Sequence, residues 1–442
     1  MDLHADSIAS VVLEEFKKLP AKRKPAVRDN GIREWVPLSS IVVEGPNGLK
    51  CVALATGMKC LPASKLAQSR GIALHDWHAE VLVIRAFNRL ILDECRRLAQ
   101  DSSATSEYLR RRTPDELSQT PEDGPWHQQP FTWREELILH MYCSEAPCGD
   151  ASMELIMSSQ DDATPWDIPP PPQPPSPSQS PSPPPQTPSP TPLLGRGYFS
   201  QLGIVRRKPS RADAPPTLSK SCSDKLALKQ CTSLLNSLVS LFVSPENVYL
   251  ATLVLPASQF SEEGCRRCFG EGGRMAGVVV VEGRARDWEG GGYGFWPFRV
   301  EVVSGGEFGF SRRGIEEAAA AAAAADGDEG GSKVKMVASN LAVAWTAGGE
   351  VEEGLIGGVL QGRKAFDLKG ASLTSRRRMW EAAVEVAEMM GDEGILRELR
   401  TERYDGVKES ASLEARRRVK ETVRGEALKG WIRNTGDGEF GL

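Results

Sequence analysis

Long apolar runs are missing from this chain of 442 residues. The widest, such as Ala276 to Val281, are far too short to cross a bilayer. The opening segment MDLHADSIASVVLEEFKKLP has no basic stretch followed by an apolar one, which excludes the pattern of a secretory signal. Cysteine is sparse: nine residues at this length cannot build a disulfide scaffold. The expectation is an intracellular protein, nuclear or cytosolic, whose cysteines are reduced. A cysteine with a special role is then a metal ligand or a nucleophile. A basic excess is missing too: 54 Lys and Arg stand against 59 Asp and Glu, a net charge of -5. Bulk charge therefore cannot hold this chain on nucleic acid, although a local basic face can.

What is present is the composition of a globular protein, 40% hydrophobic and 26% charged. Three segments are expected as disordered surface insertions in a single domain spanning 1–442. Residues 101–130 are polar and broken by prolines. Residues 165–192 are almost entirely Pro, Ser, Gln and Thr, a composition that favours extended polyproline conformations and buries no core. Residues 311–333 hold an alanine run, a short helix by propensity, on a flexible polar loop. Between them strands are expected at Leu49–Ala55, Leu137–Tyr142, Asn247–Leu255, Gly277–Glu282, Phe298–Ser304 and Lys335–Thr346. Helices are expected at Ala79–Leu98, Gly149–Ser158 and Ser221–Leu241, with a charged helical region from Ser375 to Trp431. The fold class is α/β, a mixed sheet with helices on both faces and a C-terminal helical elaboration.

Three short segments stand where helices begin: His78-Ala79-Glu80, Pro147-Cys148-Gly149-Asp150 and Ser221-Cys222-Ser223-Asp224. A helix start offers unpaired N–H groups and a positive dipole end, both of which stabilise thiolate. Neutral imidazole and thiolates suit Zn²⁺, and three protein ligands leave a fourth position for water. Zinc brings that water's pKa towards roughly 7. His78, Cys148 and Cys222 are therefore the candidate ligands, and Glu80, which is not one, is the candidate proton shuttle. This is the H-x-E plus cysteine arrangement of zinc nucleobase deaminases, except that no second cysteine follows within PCGDA. The distant Cys222 fills that place.

The set HAE, PCGD and SCSDK resembles the adenosine deaminases that act on RNA and their tRNA-specific relatives. The likeness runs from about Leu49 to the C-terminus and includes TGMKC at 56–60, SLVSLFV at 237–243, NLAVAWT at 340–346 and Trp431. The segments at 264–267, 293–295 and 414–420 are similar to the tRNA branch, which converts the adenosine 3′ of the anticodon of an alanine tRNA to inosine. Fewer than fifty residues precede Leu49, too few for double-stranded-RNA-binding modules. The resemblance implies a cytidine-deaminase-like fold, zinc, and a buried inositol hexakisphosphate. Positions matching that group's ligands are Arg85, Lys225, Ser237, Arg363, Tyr404, Lys408, Lys420 and Trp431. From Arg397 to Arg433 eleven Lys and Arg face seven Asp and Glu, a local excess suited to six phosphates. Ile84, Leu228, His75 and Trp77 depart from the family pattern, and the first two stand where it has arginine.

Rival readings are specific. His75 could compete with His78 as a ligand, but only His78 has Glu two residues on. Cys265 and Cys268 form a lone CxxC, read as structural, and Cys51, Cys60, Cys95, Cys143 and Cys231 read as core. Lys59, with Arg206, Arg207 and Lys208, could touch tRNA phosphates. The same chemistry on double-stranded RNA or a free nucleoside is one alternative. A non-catalytic, zinc-stabilised RNA-binding protein is another, and Glu80 speaks against it.

Overall fold

The computed structural model describes residues 3–118, 125–165, 167, 193–195, 197–208, 214–279, 291–325 and 334–442. Period-two alternation in two adjacent strands generates two cores. Strand β1 (Leu38–Gly45) and strand β2 (Gly48–Thr56) form a hairpin closed at Pro46-Asn47, where Gly48 takes φ 89°. Ile41, Val43, Ala53 and Ala55 point into one core, while Leu38, Val42, Cys51 and Leu54 point into the other. A bulge between Ile41 and Val42 keeps both sets on their faces.

The sheet is completed by β3 (Ile138–Cys143), β4 (Leu250–Pro256), β5 (Arg299–Val303), β6 (Ala342–Thr346), β7 (Glu352–Ile356) and β8 (Val359–Leu360). Their order is β5-β4-β3-β1-β2-β6-β7-β8. Strands β3, β4 and β5 run parallel to one another, and every other pairing is antiparallel. Helix α1 (Leu3–Lys18) covers one face, burying Ile8, Val12 and Phe16, each worth roughly 1.5–3 kcal/mol. Helix α2 (Ala79–Gln100) lies on the other face, with the larger core around it. Beyond it pack α3 (Met153–Ser158), α4 (Cys222–Thr232) and α5 (Glu262–Phe269). Helix α6 (Arg312–Ala325) carries the alanine run. The C-terminal region holds α7 (Arg376–Met390), α8 (Glu393–Leu399), α9 (Tyr404–Lys408) and α10 (Glu414–Glu426). This is the mixed α/β architecture, helices on both faces, that the strand and helix signals imply.

Several elements differ from the sequence reading. The helix expected over Ser221–Leu241 stops at Thr232, because Ser233 turns to φ 54°. It resumes only as a short 3-10 turn at Val239–Leu241. Residues 274–278 form a 3-10 helix, where the Gly277–Glu282 strand was expected to start; residues 280–282 lie outside the described residues. The Lys335–Thr346 strand is two strands in two sheets: Met336–Ala338 pairs with Arg33–Trp35, and β6 joins the main sheet. Within 101–130, expected as loop, Leu109–Arg111 pairs with Phe131–Trp133 and Pro114–Ser118 is helical. Most of 165–192 lies outside the described residues, as do 326–333.

Candidate metal centre and basic cavity

Three turns meet at the ends of the sheet, and two glycines let them approach. The loop after β2 passes Gly57 at φ 142°, where a Cβ would stand 2.2 Å from the Trp77 carbonyl. Backbone N–H groups of Trp77 and Ala79 donate to the carbonyls of Lys59 and Gly57, at 3.0 and 2.9 Å, and so fix His78 from both sides. His78 is the N-cap of α2. After β3 the chain turns through Pro147-Cys148 to Gly149, at φ 111°, where a Cβ would lie 2.3 Å from Ser221 Oγ. Any side chain at Gly149 would drive the two cysteine turns apart. Ser221 caps α4 by accepting from the Asp224 N–H, which puts Cys222 at the first helical position. The Ser223 hydroxyl donates across to the Pro147 carbonyl at 2.9 Å, clamping the turns together.

These contacts bring one ligand atom each from His78, Cys148 and Cys222 to within 4.8 Å of one another. Cys148 Sγ and His78 Nδ1 are 3.8 Å apart, and the Cys222 N–H donates to Cys148 Sγ at 3.4 Å. A tetrahedral zinc with nitrogen and sulfur ligands sets neighbouring donors about 3.5–3.8 Å apart, so the residues fit the ion. The Cys148 thiol is held well below its ordinary range, first by a hydrogen bond from Cys222 and then by the Lys208 and His78 charges. A second trio, Cys60, Asp76 and His78, shares the imidazole. Its carboxylate is already engaged elsewhere, so the two-thiolate set suits zinc better. Cys60, expected in the core, instead sits half-buried beside His78.

Glu80 is 6% exposed and lies within electrostatic reach of both Cys148 and Cys222. Burial pushes its carboxyl up, and the charge on Cys148 adds to the shift. A carboxyl raised in this way holds a proton more readily, and beside a bound water it can both take and return one. His75, the rival ligand, is committed elsewhere: Nε2 meets Asp437 at 2.6 Å and Nδ1 meets Asn434 at 3.2 Å.

The sequence reading missed the groups behind the centre. Asp76 is buried and accepts from the His78 N–H (3.0 Å), Lys208 Nζ (2.9 Å), Ser219 Oγ (2.5 Å) and Lys225 Nζ. Lys208 and Lys225 hold its carboxyl well below the ordinary range despite burial. Lys208 also donates to Cys222 Sγ at 3.2 Å, so a charged hydrogen-bond chain runs Cys222–Lys208–Asp76–Lys225. This corrects the reading of Arg206 and Lys208 as phosphate contacts; Arg207, between them, is half-buried. Lys208 is 4% exposed, and Arg206, at 1%, donates to the carbonyls of Gly195, Tyr198 and Gln201. Lys59 is half-buried and pairs with Asn340.

Lys225 opens onto a cavity of about 480 Å³ between α2, α4 and the C-terminal helices. Arg85, Lys225, Ser237, Lys408, Lys420 and Trp431 line it. Tyr404 does not; its ring backs the wall, 4.5 Å from Lys408 Nζ. Arg363 is exposed on the loop after β8 and is not brought to the cavity. Six further basic residues line it, Lys220, Arg376, Arg416, Arg417, Arg424 and Arg433, none of them expected from the sequence. Spacing could have found some: Arg417, Lys420 and Arg424 recur at helical intervals on α10. Burial lowers Lys420 and Lys229 well below the ordinary lysine range, and the Arg416 charge adds to both shifts. The Nε groups of Arg416 and Arg424 are buried without a hydrogen-bond partner. A wall of buried cations with unused donors fits a polyanion.

Comparison with known proteins agrees with this geometry. Residues 53–278 match the family model described as adenosine-deaminase (editase) domain. The chain is 37% identical over 296 residues to tRNA-specific adenosine deaminase 1 of Schizosaccharomyces pombe, covering 66% of each chain. It is 34% identical to the protein of the same name from Saccharomyces cerevisiae, covering 58% of this chain and 59% of that one. The double-stranded RNA-specific editase Adar of Drosophila melanogaster is 26% identical over 57% of this chain and 33% of its own length. The matches thus span about two thirds or less of these relatives' lengths. The chain belongs to the adenosine-deaminase (editase) domain family.

Proposed function

We propose that this protein deaminates adenosine to inosine in tRNA, at the adenosine 3′-adjacent to the anticodon of an alanine tRNA. The observation that carries the reading is the convergence of His78, Cys148 and Cys222 beside the buried, proton-poised Glu80. The three side chains would hold a zinc ion, which when bound supplies the Lewis acidity that makes a hydrolytic water acidic near neutral pH. Glu80 takes a proton from the water that attacks C6 and passes it to the ring nitrogen. It then carries the remaining hydroxyl proton to the leaving amine, so that the C–N bond breaks, ammonia departs and the carbonyl of inosine remains. An extruded base is required, and an anticodon loop presents one at low cost. Lys59, half-buried near the His78 turn, would meet the substrate's phosphates.

The tRNA assignment draws on the two yeast relatives' names and on sequence likeness to that branch. Inositol hexakisphosphate is the polyanion proposed for the cavity, held by Arg85, Lys225, Lys408, Lys420 and the α10 arginines, with Trp431 between Lys220 and Arg424. The test is incubation of the zinc-loaded protein with alanine tRNA and, separately, with a long RNA duplex, read by sequencing inosine as G. Conversion at the anticodon-adjacent position supports the proposal. Conversion in the duplex alone would transfer the activity to double-stranded RNA. Conversion in neither, with zinc bound, would leave a non-catalytic RNA-binding protein.

A further inference from the structure

The face of the sheet under α1, opposite the His78 helix, carries a second cluster of metal-ligating side chains. His4 comes from the first turn of α1, Glu44 from β1, His140 from β3 and Glu301 from β5. Alternation puts the three strand residues on that face, because Val42, Tyr142 and Val303, each two positions away, pack under α1. Glu44 Oε2 lies 3.2 Å from His4 Nε2 and 3.1 Å from His140 Nε2. On its far side His4 Nδ1 meets Glu301 Oε2 at 3.3 Å.

Proton counting makes this arrangement unusual. An imidazole that donates its Nδ1–H to Glu301 has, when neutral, a lone pair on Nε2. That lone pair faces the carboxylate of Glu44, and the contact is repulsive unless a proton or a metal ion lies between them. His140 adds a second, independent observation. It is 2% exposed, and among the described residues its Nδ1 has no partner and its one hydrogen-bonding contact is Nε2 at Glu44. The separations of 3.1 and 3.2 Å also suit neighbouring donors around one divalent cation, as at sites with nitrogen and oxygen ligands roughly 2.0–2.2 Å from the ion.

We propose that His4, Glu44 and His140 form a second divalent-cation site, two imidazoles and one carboxylate, that fastens α1 to the sheet. Glu301 orients His4 through its Nδ1–H, the carboxylate–histidine–metal arrangement. Thr252, at 3.5 Å, and Arg299, at 3.6 Å, hold the other oxygen of Glu301, so that carboxylate stays outside the ion's own shell. The ligand set selects a borderline cation such as zinc, cobalt or nickel over magnesium or calcium. With no thiolate, the site is chemically distinct from the cysteine centre.

Cobalt titration of the chelator-stripped full chain tests this, because thiolate-to-cobalt charge transfer marks the cysteine centre alone. The wild type should take up about two equivalents, as expected for two three-ligand sites, one of them without the charge-transfer band. His4→Ala should lose the band-free equivalent and keep the other. The His4 side chain is 35% exposed at a helix start, so its removal leaves the fold intact. Uptake of the thiolate equivalent alone by the wild type would overturn the proposal, as would a band-free equivalent that survives both His4→Ala and Glu44→Gln.

Discussion

The metal centre and the basic cavity share Asp76, yet they are built on opposite principles. At the centre nearly every polar group already has a partner within the chain: caps, crossed carbonyls and a serine clamp hold the ligand atoms in place. The cavity is lined by ten Lys and Arg against five Asp and Glu, with two arginine Nε donors unused and lysines pushed towards neutrality. The first region is organised before anything binds. The second leaves cations and donors unmatched, which the proposed polyanion would complete. On that reading one chain orders its metal ligands by itself and gains stability at the cavity only when the polyanion binds.

The largest expected effect breaks the centre. Cys222→Ala removes one of two thiolates and one acceptor of Lys208, so metal analysis should show the zinc of the cysteine centre lost, about one equivalent per chain, and inosine formation should fall to background. Asp76→Asn comes next, since it strikes both regions by leaving Lys208 and Lys225 without their carboxylate. A broken buried pair costs about 3–5 kcal/mol. Denaturant midpoints should fall accordingly, while a mutation confined to the centre should leave polyanion affinity unchanged.

Lys420→Met sharpens the comparison by its sign. In protein stripped of anions it should raise the melting temperature, because it removes an uncompensated cation. In protein loaded with inositol hexakisphosphate it should lower it. The same logic gives a pH dependence. Lys420 is depressed in the folded chain from its ordinary value of 10.5, so the unfolded state binds more protons between the two values. Stability of the stripped protein should therefore rise with pH across that window, and the bound polyanion should flatten the rise. Smallest of all, Lys59→Ala touches neither region. It should weaken tRNA binding modestly and reduce the salt dependence of log K by roughly one unit, as for a lost phosphate contact.

The same contrast decides what could be read in the sequence. His78, Glu80, Cys148 and Cys222 were legible because each sits at a helix start, where local signals and chemistry coincide. Lys208 was not: its partner Asp76 lies 132 residues away, and the neighbouring Arg206 and Arg207 give it the look of a surface patch. Strand β1 was hidden by Ser39 and Ser40, buried hydroxyls that interrupt an apolar run. Helix α1 was legible in principle, since its apolar positions at Ile8, Val12 and Phe16 keep helical spacing, but the polar residues between them give it no apolar run. Tertiary context ended the Ser221 helix at Ser233, a turn that no propensity marks. Arg363 failed because likeness to a family motif carried it to a position that the loop after β8 leaves in solvent.

The central claim is that a proton-poised carboxylate works beside the ligand trio, and Glu80→Ala under single turnover tests it most directly. Zinc content and inosine formation in alanine tRNA are measured on the same preparation. Full zinc occupancy with a rate lowered by at least about 10²–10⁴-fold is the predicted result. Full occupancy with an unchanged rate would contradict it.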